Sequence, residues 1–267
     1  QRIRALATGC LGVHQPELAF SVVEQLRANG LEQLDTIKKR AYITDNPLMS
    51  SIQGLAGLDY LHELEFFGNH NIISLTGLEQ VFIDSVIYIS DNMGLTSLDG
   101  LGSLDDFNGS LILDFNRKIA DFSVLSDLDS VYSIQLSGCD SLTTLQVLDN
   151  LVFVEDWLVI STNSGLISLE GMSNLNYVGS LGIGSNTLLT NLAGLPELKE
   201  IKGDVTIIGN GLQSLEGLDS LFSVGRNFYV YHEDSLLNLR GLDKLNSIGD
   251  KLWLYNNDQL QNLSGLG

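Results

Sequence analysis

An asparagine recurs along this chain at a step of 23 or 24 residues, and this regularity limits the possible folds more than any other feature. An apolar residue lies three positions before each member of the series, and in most repeats another lies two positions earlier, which predicts one short strand per repeat. No single repeat can bury its own apolar side, so ten repeats predict a stacked solenoid with a shared core. The series consists of Asn46, Asn69, Asn92, Asn116, Asn163, Asn186, Asn210 and Asn257, with Cys139 and Glu233 at the two remaining positions.

The side chains of this series suit an inward position. An amide both donates and accepts hydrogen bonds, so a stacked column of asparagines can satisfy backbone groups where the chain turns after each strand. We therefore expect the central asparagines to be buried and bonded to the backbone, and Cys139 to be tolerated as a small buried residue. Glu233 is the exception, because a carboxylate cannot donate and is costly to bury. We expect Glu233 to turn outward or to mark a distorted repeat.

A Ser/Asn-Leu-x-Gly-Leu phrase follows the asparagine in most repeats, as at residues 74–78 and 214–218. Residues 179–210 carry all the anchors of one repeat in an unbroken stretch. On these motifs, residues 41–267 resemble a leucine-rich repeat protein, and the subtype is similar to the receptor L domain of insulin and epidermal growth factor receptors and of fungal and microbial surface proteins. The chain departs from that family in lacking cysteine-rich flanking modules and in having Val124 and Val147 in place of two of the glycines. The resemblance implies a binding module at a cell surface.

The predicted fold is mainly β: a right-handed parallel β-solenoid of about ten coils with an N-terminal capping helix. The helix is predicted over residues 16–28, where apolar residues share one face, Pro16 suits the first turn and Asn29-Gly30 ends it. A helix is the expected cover for an open solenoid end. Residues 1–40 are therefore interpreted as a cap and 41–267 as the solenoid, which stops within a repeat and is expected to continue after residue 267 or to be covered by a partner.

Charge excludes several classes of partner. The chain has 33 acidic and 14 basic residues and a formal net charge of -19. Nucleic acid is excluded as a partner, because phosphate binding needs clustered Lys or Arg, and unassisted docking to anionic lipid is disfavoured for the same reason. No run of 18 apolar residues is present, so we expect no direct membrane insertion of this segment.

Catalytic motifs are missing from the sequence. It contains no P-loop, no His-Glu-x-x-His and no Gly-x-Ser-x-Gly. We therefore expect no enzyme activity, no cofactor and no metal site. Cys10 and Cys139 lie too many repeats apart to predict a disulfide. Asn108 and Asn262 each begin an N-glycosylation sequon in a predicted turn or loop, which makes them candidate glycosylation sites of an extracellular glycoprotein.

The outward strand positions differ most between repeats. Small residues such as Ser161 and Gly184 occupy the middle repeats, whereas aromatic residues gather in the last two. Such exposed aromatic clusters are typical of binding surfaces. The candidate partner-binding residues are Tyr229, Tyr231, His232, Trp253 and Tyr255. The alternative is that these residues are strand formers covered by a C-terminal segment.

Two function classes follow. The first is a non-catalytic extracellular binding or adhesion module that recognises a protein or glycan through its exposed sheet face, as the resemblance implies. The alternative is a structural building block of an extracellular coat, wall or filament, assembled by self-association through end-to-end or aromatic contacts. Both place the protein outside the cell or at its surface.

Overall fold

The computed structural model describes residues 34–102 and 104–266. The chain divides into two compact units, Gln1–Val124 and Leu125–Gly267. Both units are mainly β and built from parallel strands, with four coils in the first and six in the second, so the predicted parallel β-solenoid of about ten coils is confirmed. The predicted capping helix at residues 16–28 and Cys10 lie outside the described residues.

The described residues of the first unit contain four strands, which pair in parallel in the order of the chain. They are β1 (Thr36–Thr44), β2 (Tyr60–Phe67), β3 (Phe82–Ser90) and β4 (Ser110–Asp114). The register places Ile43 opposite Phe66, Phe66 opposite Ile89, and Ile89 opposite Leu113. The apolar residues that precede each asparagine therefore lie side by side and form a common core.

Over residues 125–266 the second unit contains ten strands, six of which form its main ladder in the order β6-β7-β8-β10-β12-β14. Shorter parallel pairs join β5 to β7 and link β8, β9, β11 and β13. The strands are β5 (Ser130–Val131), β6 (Ser133–Ser137), β7 (Phe153–Ser161), β8 (Tyr177–Gly184), β9 (Glu200–Ile201), β10 (Val205–Ile208), β11 (Ser223–Val224), β12 (Phe228–Tyr231), β13 (Ser247–Ile248) and β14 (Leu252–Tyr255).

Turns rather than α-helices connect the strands. Within the described residues the helical elements are three short 3-10 helices, Gln53–Leu55, Ser123–Asp127 and Gln146–Leu148. Short polar side chains support these turns by accepting a backbone N–H two residues later, as Ser97 does from Asp99 (2.9 Å) and Ser168 from Glu170 (3.1 Å). Because these local bonds satisfy the backbone, no helix is needed on the return path of a coil.

The predicted asparagine column is confirmed within each unit, and each of its members is called a rung below. In the first unit, the N–H of Asn69 donates to Oδ1 of Asn92 (2.9 Å), and Nδ2 of Asn92 donates to the carbonyl of Phe66 (3.0 Å). In the second unit, the N–H of Asn163 donates to Oδ1 of Asn186 in the same way (3.0 Å). These rungs are fully buried. Each amide thus joins two neighbouring coils through backbone groups that would otherwise be unpaired.

The expectation for Glu233 is wrong. Its side chain is fully buried in the column, where Oε1 accepts both the N–H and the Nδ2–H of Asn210 at 2.8 Å. The repeat is not distorted, since the N–H of Leu236 bonds the Glu233 carbonyl (3.1 Å) as Leu189 bonds that of Asn186 (3.0 Å). A rung must above all accept a hydrogen bond from the rung before it, and a carboxylate does this well.

Burial has an electrostatic consequence at Glu233. Burial raises the pKa of its carboxyl above the ordinary value, while the hydrogen bonds from Asn210 and Leu212 oppose the rise. An ionised carboxylate has no hydrogen to donate. Glu233 therefore cannot reproduce the bond that Nδ2 of Asn210 makes to the carbonyl of Ile183 (3.0 Å).

The residue before each rung has a left-handed backbone. Seven of these residues are not glycine, and Thr162 (φ 57°) is β-branched, which makes this conformation costly. The conformation turns the rung inward at the end of the strand. The ten residues are Asp45, Gly68, Asp91, Phe115, Gly138, Thr162, Ser185, Gly209, His232 and Asn256.

Candidate binding face of the second unit

Two adjacent strands of the second unit bring the predicted aromatic residues together. The parallel register of β12 and β14 places Tyr229 opposite Trp253 and Tyr231 opposite Tyr255. On β12 the two tyrosines alternate with the buried residues Phe228 and Val230 and so point away from the core. His232 follows β12 directly. We call Tyr229, Tyr231, His232, Trp253 and Tyr255 the aromatic patch.

The rings of the aromatic patch contact one another edge to face. Trp253 lies 5.8 Å from Tyr229 and 6.2 Å from Tyr255 between ring centroids, with interplanar angles of 61°. His232 lies 5.8 Å from Tyr231 and 6.0 Å from Tyr255. Edge-to-face pairs add about 0.5–1.5 kcal/mol each beyond area burial. The patch is therefore one connected surface whose rings hold each other in place.

The patch remains open to solvent. Trp253 is 54% exposed and Tyr255 is 51% exposed, while Tyr229 and Tyr231 are half-buried. The apolar Leu252 of β14 is 39% exposed, although its partner Phe228 on β12 is fully buried. Large exposed aromatic side chains that sit next to one another mark a surface able to bind a partner.

The strands β7, β8 and β10, which precede the patch in the sheet, provide a flat surface that we call the floor. Gly182 and Gly184 of β8 have no side chains, and neighbours fill the space above them. A Cβ at Gly182 would lie 3.8 Å from the Trp157 ring, and one at Gly184 would lie 2.9 Å from Cγ2 of Ile208. The floor is therefore level rather than pitted.

No charged side chain occupies the outward strand positions of this face. The chain as a whole is 18% charged, so twelve positions at that share would carry about two charged residues. Charged side chains begin at the margin of the face, at Glu155 and Asp156 of β7 and at Asp204 and Lys251. The twelve positions, called the uncharged face below, are Gln135, Ser137, Val159, Ser161, Gly182, Gly184, Thr206, Ile208, Tyr229, Tyr231, Trp253 and Tyr255.

The first unit carries a different cluster, which the sequence reasoning missed. Nδ1 of His62 lies 2.7 Å from Oδ1 of Asp84, and the Tyr60 hydroxyl donates to Oδ2 of Asp84 (2.8 Å). Burial alone would raise the pKa of Asp84, but the hydrogen bonds from His62 and Tyr60 outweigh it and hold that pKa below its ordinary value. His62 and Asp84 are 22 residues apart, close to one repeat, so the repeat length was a signal that could have paired them.

An arginine extends the charged cluster of the first unit onto β1. Nε of Arg40 donates to Oε2 of Glu63, and Nη1 lies 3.3 Å from Oε1 of Glu65. The same Nη1 donates to the Tyr42 hydroxyl (2.8 Å), and the guanidinium lies 5.6 Å from that ring. The hydrogen bond to Glu63 raises the pKa of Arg40 above its already high value. These groups satisfy one another and are solvated, which is typical of a charged surface.

A surface groove of about 630 Å³ lies elsewhere on the second unit, lined partly by Gly217, Gly241 and acidic side chains. The carboxylates of Asp219 and Asp243 accept the N–H groups of Gly217 (2.7 Å) and Gly241 (3.3 Å). A Cβ at Gly217 would lie 2.0 Å from the backbone of Leu192 in the preceding coil. Close stacking therefore requires the glycine, and the groove is a product of coil packing.

The two sequon asparagines are both exposed. Nδ2 of Asn108 donates to the carbonyl of Asp106 (3.3 Å), and Oδ1 of Asn262 accepts the N–H of Ser264 (3.0 Å). Among the described residues, no group of three or more His, Cys, Asp or Glu side chains is placed to hold a metal ion. Nor does any helix in the described part of the chain have the length and apolar character needed to cross a bilayer.

No protein-family model, curated protein or solved structure matches the chain. The candidate face therefore rests on its own geometry.

Proposed function

We propose that the protein is a non-catalytic binding or adhesion module that recognises its partner through the uncharged face of the second unit. The observation that carries this proposal is the aromatic patch, in which Trp253 and Tyr255 are about half exposed and contact Tyr229 and His232 edge to face. Tyrosine and tryptophan offer a large contact area with few torsions to freeze, and their polar tips still bond at a wet surface.

Preorganisation supports this function. Each ring of the patch contacts at least one other ring, and Tyr229 also lies between the buried residues Phe228 and Val230, so binding would cost little side-chain entropy. A central aromatic anchor is commonly worth ~2 kcal/mol or more in an interface. The buried core of β12, by contrast, consists of Phe228 and Val230, which face away from any partner. Binding and folding should therefore be separable by mutation.

The test is the double substitution Trp253→Ala and Tyr231→Ala. We expect the variant to keep the far-ultraviolet circular dichroism of the parent protein and to lose binding in arrays of surface proteins and glycans. Tyr132→Ala is the matched control, because Tyr132 is 49% exposed in the same unit and lies outside the patch. Binding by the folded double variant at the level of the parent would remove the patch as the binding site.

A second candidate function is a building block of an extracellular coat, wall or filament. One observation favours it: the apolar side chains of the coil that contains β14, Leu252 and Leu263, are 39% and 53% exposed. Exposed apolar side chains of this kind can mediate association with another chain. Sedimentation at increasing concentration tests this function, and a strictly monomeric protein would exclude it.

The chain is proposed to belong to the leucine-rich repeats of the receptor L-domain type, with right-handed coils of 23–24 residues and an extracellular or cell-surface location. The recurring Asn and Gly-Leu positions support this assignment. Expression through a secretory pathway tests the location, because sequon use at Asn108 or Asn262 would add mass that a glycosidase removes.

A further inference from the structure

We propose that the partner of the uncharged face is a neutral polysaccharide chain, whose sugar rings stack on Trp253 and its neighbouring tyrosines. The inference rests on the proposed binding function and adds the chemical class of the partner. It depends on three properties of the face: its lack of charge, the chemistry of its aromatic edge, and the flat floor beside that edge.

The first property of the face is its lack of charged side chains. The chain has a net charge of -19, yet the twelve outward strand positions of the uncharged face carry no charged side chain. Ionised side chains are costly to desolvate against a neutral ligand that offers no counter-charge. A charged ligand such as an acidic glycan or a basic protein would instead favour opposite charges on the face, which raise the rate and selectivity of association. The composition of the face thus fits an uncharged ligand.

The second property is the chemistry of the aromatic edge. Pyranose rings present flat patches of C–H groups, with hydroxyl groups around their rim. Trp253 and Tyr255 offer exposed apolar ring surface for the C–H patches. Hydroxyl partners lie beside them, at the phenol groups of Tyr229 and Tyr231 and at the side chain of Thr206 opposite Tyr229. This combination of apolar rings and neutral hydrogen-bonding groups matches the two surfaces of a sugar.

The third property is the flat shape of the floor beside the aromatic edge. Five parallel strands, β7, β8, β10, β12 and β14, lie side by side, and at about 4.8 Å per step they span roughly 19 Å. Gly182 and Gly184 keep this surface low, while Trp157 and Ile208 fill the space over them. A protein interface of standard size gains its strength from side chains inserted into pockets. A strip without deep pockets, with the aromatic patch at one end and the Trp157 ring over Gly182, instead suits an extended chain that lies along it.

The experiment is a pull-down of the full chain with insoluble neutral polysaccharides, namely cellulose, chitin and curdlan. Alginate and heparin beads serve as charged probes, and each assay is run at low and high salt. We expect retention on at least one neutral polymer that is unchanged by salt. Trp253→Ala should lower the apparent affinity at least tenfold, whereas Tyr132→Ala should not. Thr206→Glu, which places a charge on the floor without touching the rings, should also weaken retention and covers the case in which Trp253→Ala fails to fold.

The other outcomes separate the inference from the function on which it rests. Retention on charged beads alone, or retention abolished by salt, would overturn the inference that the partner is a neutral polysaccharide. Binding to a surface protein or to a second copy of the chain, lost in Trp253→Ala, with no retention on any polysaccharide, would overturn the inference and leave the proposed function in place. Absence of any binding sensitive to Trp253 would overturn both.

Discussion

The outward strand faces of the two units have different chemistry although their buried sides are alike. The first unit carries charged residues at Glu65 and Asp114, and its strand margin is linked by the contacts of Arg40 with Glu63 and of His62 with Asp84. The second unit has no charged side chain at twelve corresponding positions and ends in the aromatic patch. One backbone pattern thus supports two unrelated surfaces.

The difference shows which positions the fold constrains. The left-handed residue and the buried rung recur in both units, because each coil needs the same turn and the same acceptor. The outward columns are free of these requirements. Their composition is therefore the part of the sequence available for function, and the contrast between the units is the reason for proposing a binding role for the second.

The largest expected effect tests the framework that both units share. Asn92→Ala in the first unit and Asn163→Ala in the second should each lower the free energy of unfolding by about 1–3 kcal/mol, since each leaves buried backbone groups unpaired. Chemical denaturation measures both. The exposed Asn71 and Asn176 are the matched controls and should tolerate alanine. A large loss in one unit with none in the other would mean that the two frameworks are not equivalent.

The second prediction concerns the rung that differs from the asparagines. Burial raises the pKa of the Glu233 carboxyl above its ordinary value, so protonation of this group is more favourable in the folded state than in the unfolded state. The contribution of Glu233 to the free energy of unfolding is therefore fully present at a pH below its ordinary pKa. It is lost as the pH rises through the raised pKa of the folded state. Glu233→Gln removes the ionisation and restores a donor, so it should stabilise the protein by ~1–2 kcal/mol at neutral pH and by less in acid.

Thermal denaturation of Glu233→Gln at several pH values measures this difference. Asp258→Asn is the control, because Asp258 is an exposed carboxylate of the same unit and is not among the groups that shift the pKa of Glu233. A stabilisation of Glu233→Gln that is equal at pH 4 and pH 7 would show that the carboxyl is not the source of the pH dependence.

Sequence reasoning succeeded at positions where a single physical requirement selects the residue type. The spacing of Asn69 and Asn92 predicted a buried column, and alternation predicted that Trp253 points away from the core. It failed at Glu233 because only donation and desolvation were considered, although accepting the N–H of Asn210 is what the position demands. It missed the pairing of His62 with Asp84 because these residues lie 22 apart, beside a register shift between β2 and β3, and so fall one residue short of the repeat length.

A smaller effect is expected at the left-handed residue of the second unit that tolerates this conformation least. Thr162 has φ 57°, and its branched side chain disfavours that value. Asparagine adopts the left-handed region more readily, so Thr162→Asn should stabilise the protein by about 0.5–1 kcal/mol. Asp91→Asn in the first unit is the control, since aspartate already tolerates the conformation. Equal changes from both substitutions would point to a cause other than backbone strain.

The smallest expected effect concerns the charged face of the first unit. The ion pairs of Arg40 are solvent-exposed, with 44% of that side chain accessible, so Coulomb attraction and the entropy of holding both side chains nearly cancel. Arg40→Gln should therefore leave the melting temperature unchanged within error at both low and high salt, because screening removes little that contributes to stability. Differential scanning calorimetry makes the measurement. A clear, salt-sensitive loss would show that the charged network holds the first unit together, and the contrast with the uncharged face would then reflect two ways of stabilising a coil rather than a division between scaffold and binding surface.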